Sequence, residues 1–244
     1  MNLEDEVKEL LNLIAEDLEL LALLHDKELT KDLIKLLQDN DFPNTLGFSL
    51  SGERAQQALD LMRLGLNEIK DTDEKTLNNL AADYASIYLN HSISASPYES
   101  VWVDEDDLIM QDAMFDIRDW YKKYSLKVAD WRIRSDDHFI HQFQFIAHVL
   151  KLNTFEDLKA LAQFMDEHLF RWFDEFAIRV ANRCDTGFYA GLAALSFCYI
   201  DEVRELMAKI LKSPRPSKEE IEEKFKPAKP DESVQYIPGA SVSW

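Results

Sequence analysis

Through residue 212 this chain rarely interrupts a helical hydrophobic rhythm. Val7, Leu10, Leu11, Ile14, Leu18, Leu21 and Leu24 recur every three or four residues with acidic residues opposite, the pattern of an amphipathic helix. Helix breakers are scarce. The whole chain has six glycines, and five of its seven prolines (Pro214, Pro216, Pro227, Pro230 and Pro238) follow Ser213. An all-α helical bundle is therefore expected. Further helices are predicted over 28–39, 53–69 and 73–90, and from the acidic run Asp104-Glu105-Asp106-Asp107 to about Tyr124. Another covers 136–151 with Ser135 as its N-cap, and Thr154 caps the next. Leu169, Trp172, Phe173, Phe176 and Val180 form an aromatic stripe expected on one continuous core helix, and a last helix starts at Asp185.

The connections suggest a division. The non-periodic 125–135 segment, with Trp131, Arg132 and Arg134, reads as a hinge between an N-terminal helical subdomain (1–124) and a smaller C-terminal one (136–212). Residues 213–244 read as a proline-rich extended or disordered tail, in which Ser217-Lys218-Glu219-Glu220 caps a short helix to Phe225. A hinge between two bundles allows a monomer or a dimer with exchanged helices.

Charge narrows the partners. Against 27 Lys and Arg stand 46 Asp and Glu, a formal −19. Such a surface repels nucleic acid and anionic membranes and attracts a basic peptide, although acidity also serves solubility alone. Cys184 and Cys198 are too few for a disulfide framework and are expected as buried free thiols. The acidic start Met1-Asn2-Leu3-Glu4-Asp5-Glu6 lacks the basic character of a secretory signal, and no apolar run approaches the roughly 20 residues of a membrane span. A cytoplasmic protein is expected, not an integral membrane one.

Two stretches carry candidate chemistry. In Ser135-Asp136-Asp137-His138-Phe139-Ile140-His141-Gln142, two carboxylates and an imidazole gather at a helix mouth, with Gln142 on the ridge of His138. Upstream, Pro97-Tyr98-Glu99-Ser100-Val101-Trp102 follows the small polar loop from His91. An acidic Glu99 between aromatics suits an arginine, through charge and cation–π contact together. Arg132 and Arg134 are placed to neutralise Asp136 and Asp137 from within the chain.

These two stretches, with the spacing Phe164-x3-His168-Leu169-x2-Trp172, resemble the TorD/DmsD family over approximately residues 5–212. The chain departs from the family pattern near Arg134-Ser135, where an acidic residue and a proline are usual, and at Gln142 and Gln144, where glutamates are usual. The resemblance implies a TorD-like fold and a cytoplasmic chaperone for an exported molybdenum-cofactor oxidoreductase. Such a chaperone binds the client's twin-arginine signal peptide and apo-form, prevents premature export and assists cofactor insertion. By the same resemblance Tyr98, Glu99, Ser100, Trp102, Asp136, Asp137, His138 and Gln142 line the peptide site. No catalytic residue, metal or cofactor of the chain's own is implied. An assembly factor of the NarJ kind, serving a cytoplasmic catalytic subunit, is the first alternative. An HD-type metal-dependent hydrolase built on Asp136-Asp137-His138-x2-His141 is the second, although a helical His-Asp pair is lacking there.

Overall fold

Eleven α-helices form among residues 3–226, the residues described by the computed structural model. They are α1 (Asp5–Asp26), α2 (Lys31–Asp39), α3 (Glu53–Asn67), α4 (Glu74–Tyr84), α5 (Ser100–Val103), α6 (Asp112–Lys123), α7 (Phe139–Leu150), α8 (Phe155–Glu167), α9 (Phe173–Arg183), α10 (Gly187–Leu211) and α11 (Lys218–Phe225). A π-helical turn, Ala85–Leu89, continues α4, and a 3-10 turn, Leu169–Arg171, precedes α9. Among the described residues the only β pairing is an isolated antiparallel bridge between Tyr98 and His138. Helix starts follow local chemistry. The side chains of Thr30, Asp73, Thr154 and Ser217 each accept the backbone N–H three residues on, and Ser217 with Glu220 completes a capping box. Each such cap stabilises its helix by about 1 kcal/mol.

The core is organised around α10, whose Phe188, Tyr189, Leu192, Leu195, Tyr199, Ile200, Val203 and Met207 are all buried. It packs on α3, α9 and α8, while α1 packs on α7. The α3–α10 crossing is very close because it is lined by glycine. A Cβ at Gly65 would lie 2.2 Å from Gly187 O, and one at Gly191 would lie 2.6 Å from Met62 Cα. The α1–α7 and α3–α10 pairs both join a helix before the 125–135 connection to one after it, and one buried apolar cluster runs through all four. Helices on either side of the 125–135 connection are therefore in direct contact.

Three predicted elements differ from those found. The acidic run 104–107 does not begin a helix, because Asp107 and Met110 take positive φ angles of 52° and 63°; α6 begins only at Asp112. Ser135 is not an N-cap: α7 begins at Phe139 and is capped by His138. The aromatic stripe is split across the 3-10 turn and α9, since the helix stops at His168. Both cysteines are half-buried rather than buried, and burial pushes the Cys184 thiol up to about 12. Of the predicted tail, α11 is formed and residues 227–244 lie outside the described residues.

Three buried aspartates tie loops to helices by the same means. Asp17 accepts the N–H groups of Gly47 and Phe48, each at 3.0 Å, and the Tyr199 hydroxyl at 2.6 Å. Asp83 accepts the N–H groups of Asp185 (3.0 Å) and Thr186 (2.7 Å) and the Thr186 hydroxyl (2.6 Å), which fixes the entry to α10. Asp137 is the third.

Candidate functional site

The 96–103 segment is buckled onto the start of α7. Phe139 N–H donates to Pro97 O (3.0 Å) and Glu99 N–H to Asp137 O (3.2 Å). One carboxylate oxygen of Asp137 accepts both the backbone N–H (3.0 Å) and the hydroxyl (2.6 Å) of Ser100. Its other oxygen accepts the Ser135 hydroxyl. The Gln142 amide donates to Glu99 Oε2 (2.9 Å) and to Asp137 O (3.2 Å), and His168 Nδ1 lies 2.9 Å from Glu99 Oε1. Glu99, Ser100, Ser135, Asp137 and Gln142 are fully buried. A buried charge persists only when its lone pairs are satisfied, and here donors from four elements satisfy them.

The neighbouring charges are also taken up internally. Asp136 is held by the Arg118 guanidinium (2.8 and 3.3 Å), and its carbonyl accepts the Tyr121 hydroxyl (3.1 Å). Arg118 therefore has the role expected of Arg132 or Arg134. Arg134 instead pairs with Asp26, and Arg132 lies 5.4 Å over Trp131. His138 Nδ1 accepts the Ile140 N–H at 3.2 Å, and burial, followed by the Arg134 charge, pushes this imidazole well below its usual range. Deeper still, His25 lies between the Tyr88 hydroxyl (2.5 Å) and Ser196 Oγ (2.9 Å), and burial lowers it to about 3. Both are neutral imidazoles. In the Asp136-Asp137-His138-x2-His141 set, His138 caps α7 and Asp136 pairs with Arg118; among the described residues no group of three or more His, Cys, Asp or Glu is placed to hold an ion.

All eight sequence-selected residues thus come together, but seven of them are buried. Tyr98 stands edge-on to His138 at 4.9 Å and is 9% exposed. Only Trp102 reaches the surface. Its Nε1 donates to Ser96 O (2.9 Å), one face stacks on Trp172 at 6.0 Å, and the Arg179 guanidinium lies 4.3 Å from its ring centre.

Trp102 walls a groove of about 600 Å³, whose apolar lining is completed by Val101, Leu108 and Ile109. Leu108 and Ile109 are 56% and 44% exposed, a contiguous apolar edge beside the groove. The adjoining Glu105, Asp106 and Asp107 are exposed, and among the described residues no basic side chain pairs with them. Asp104, partly buried and bonded to the Ala113 N–H (3.3 Å), is raised chiefly by desolvation. The sequence pattern concealed this groove because the acidic run resembles a helix start. The unused signal was Leu108-Ile109, two large apolar residues directly after four carboxylates.

Comparison with known proteins agrees with the fold-level reading. A family model described as nitrate reductase delta subunit matches residues 51–177. A chaperone protein TorD of Vibrio vulnificus is 25% identical over 192 residues, covering 74% of this chain and 89% of that protein. A chaperone protein TorD of Vibrio cholerae is 28% identical over 155 residues, 60% of this chain and 70% of that protein. One from Shewanella loihica is 28% identical over 184 residues, 74% and 86% respectively.

Proposed function

The chain belongs to the nitrate reductase delta subunit family, among TorD-like chaperones, and from that premise we propose that it recognises the twin-arginine signal peptide of a molybdenum-cofactor oxidoreductase. It is a maturation chaperone for a redox enzyme and not itself an enzyme. In the cytoplasm it holds the client back from export while the cofactor is inserted.

The observation that carries this reading is the groove with its acidic edge. A twin-arginine leader is basic at one end and apolar beyond. Glu105, Asp106 and Asp107 offer exposed carboxylates to guanidinium groups, and charge-assisted hydrogen bonds of this kind are about twice as strong as neutral ones. Val101, Trp102, Leu108 and Ile109 offer the apolar surface next to them. Glu99 and Asp137 support the site by holding the 96–103 segment in place; their lone pairs face inward. The proposed role of the eight sequence-selected positions is therefore divided, with Trp102 in contact with the peptide and the others positioning it.

The test is calorimetric titration with synthetic twin-arginine leaders and with the same peptides carrying alanine in place of both arginines. Binding at least tenfold weaker for the alanine peptides, about 1.4 kcal/mol, is expected. A second reading is favoured by the description of the matching family model: a subunit-specific assembly factor, as for a nitrate reductase. No binding to any leader, with a stable complex on a mature catalytic subunit, would replace the first reading with the second.

A further inference from the structure

We propose that the groove contains a guanidinium subsite on the face of Trp102, that Arg179 fills it in the free protein, and that an arginine of the client leader takes the place of Arg179 there. The inference deepens the reading of the groove as the leader site and rests on it.

The subsite is built from groups that each suit a guanidinium. Trp102 offers an aromatic face, with the Arg179 guanidinium carbon 4.3 Å from the ring centre. Arg179 Nη1 donates to Ser94 O at 3.0 Å, and Nη2 to the Glu175 carboxylate at 3.2 Å, one turn earlier on α9. A flat cation with several N–H donors meets a ring, a carbonyl and a carboxylate. These groups have other supports. Trp102 is fixed by its bond to Ser96 O (2.9 Å) and its stack on Trp172, and Arg183 Nη1 holds the loop at Ile93 O (2.8 Å).

Arg179 itself is weakly retained. Its side chain is 37% exposed and that of Glu175 57%, and exposed ion pairs and exposed cation–π contacts are both weak. Arg179 is also the only lysine or arginine among the described residues that line the groove. Fixed in place, it would oppose a basic peptide by like charge. Exchange removes that conflict, because one guanidinium swings into solvent as another arrives on Trp102. Leader affinity is then lowered by the fraction of time that Arg179 holds the subsite. Arginine is also favoured over lysine, since an ammonium neither stacks as a plane nor donates as a fork.

The test is calorimetry of the full chain with twin-arginine, twin-lysine and twin-alanine leaders. Arg179→Ala is expected to bind the twin-arginine leader roughly threefold or more tighter than the unaltered chain, with the other two leaders changed by less than about twofold. Equal tightening of the twin-lysine leader would reduce Arg179 to a like charge and overturn the subsite. Unchanged or weaker twin-arginine binding would overturn it as well. In Trp102→Leu, removing Arg179 is expected to bring no gain; a gain that persists would overturn the role of the ring. Absence of all leader binding would remove the reading of the groove as a leader site, and the subsite is then read by itself with arginine methyl ester. That probe is expected to shift the Trp102 indole N–H resonance in Arg179→Ala and to leave it in place in the unaltered chain. An indole signal unmoved in Arg179→Ala would overturn the subsite.

Discussion

The two ends of the 96–109 segment use similar residues for opposite purposes. At one end Glu99 and Ser100 turn inward, where Asp137, Gln142 and His168 take up every charge-bearing contact. At the other, Glu105, Asp106 and Asp107 remain in solvent beside Leu108 and Ile109. The difference is not in residue type, since both ends pair carboxylates with large apolar side chains. It lies in the number of donors the fold supplies. Where three or four donors converge, a carboxylate is a fastening, as Asp17 and Asp83 also are. Where none converge, it is available to a partner.

Breaking the inner end is expected to have the largest effect. Asp137→Ala would leave the Ser100 N–H and two hydroxyls without their buried acceptor and should cost about 3–5 kcal/mol of stability by urea unfolding. A loss under about 1 kcal/mol would return Asp137 to the ligand-binding side of the comparison. Lower pH should act on the same interior. His25 is held at about 3 in the folded protein and near 6.5 in the unfolded chain. The unfolded state therefore binds more protons between these values, so stability is complete above about pH 6.5 and declines as pH falls. From pH 7 to 5 His25 alone should contribute a loss of about 2 kcal/mol, with His138 acting in the same direction. A flat stability profile over that range, or one unchanged by His25→Asn, would contradict this.

Glu99→Gln keeps the shape but sets an amide donor against either Gln142 or His168, and should cost about 1–2 kcal/mol. A neutral result would mean that the inner network does not depend on the charge. The outer end should barely register in stability. Leu108→Asp, at a side chain more than half exposed, is expected to shift unfolding by less than about 0.5 kcal/mol. A large loss there would mean that the groove edge is part of the core.

Much of this architecture was legible as periodicity. The α1 stripe of Leu11, Ile14, Leu18 and Leu21 is buried as its spacing requires, and Thr154 caps α8 through the Asp157 N–H. The two candidate stretches also meet, Tyr98 pairing with His138 from the far end of the intervening α5 and α6. What periodicity could not show was direction. Asp136, Asp137 and Glu99 look like free carboxylates until Arg118, Ser100, Ser135, Gln142 and His168 are placed around them, and those partners come from distant segments. His168 stood in the Phe164-x3-His168-Leu169-x2-Trp172 spacing without a site role; the helix breaks there, and its ring reaches Glu99. The groove was hidden for a simpler reason. Four acidic residues before an apolar run fit a helix start, and only the positive φ of Asp107 and Met110 turns them into a loop edge.

The most direct measurement compares leader binding by Leu108→Asp with Ile109→Asp against the unaltered groove, by calorimetry with a twin-arginine peptide. The account predicts at least tenfold weaker binding with an unchanged melting temperature. Equal binding by the two proteins would contradict the placement of the leader in this groove.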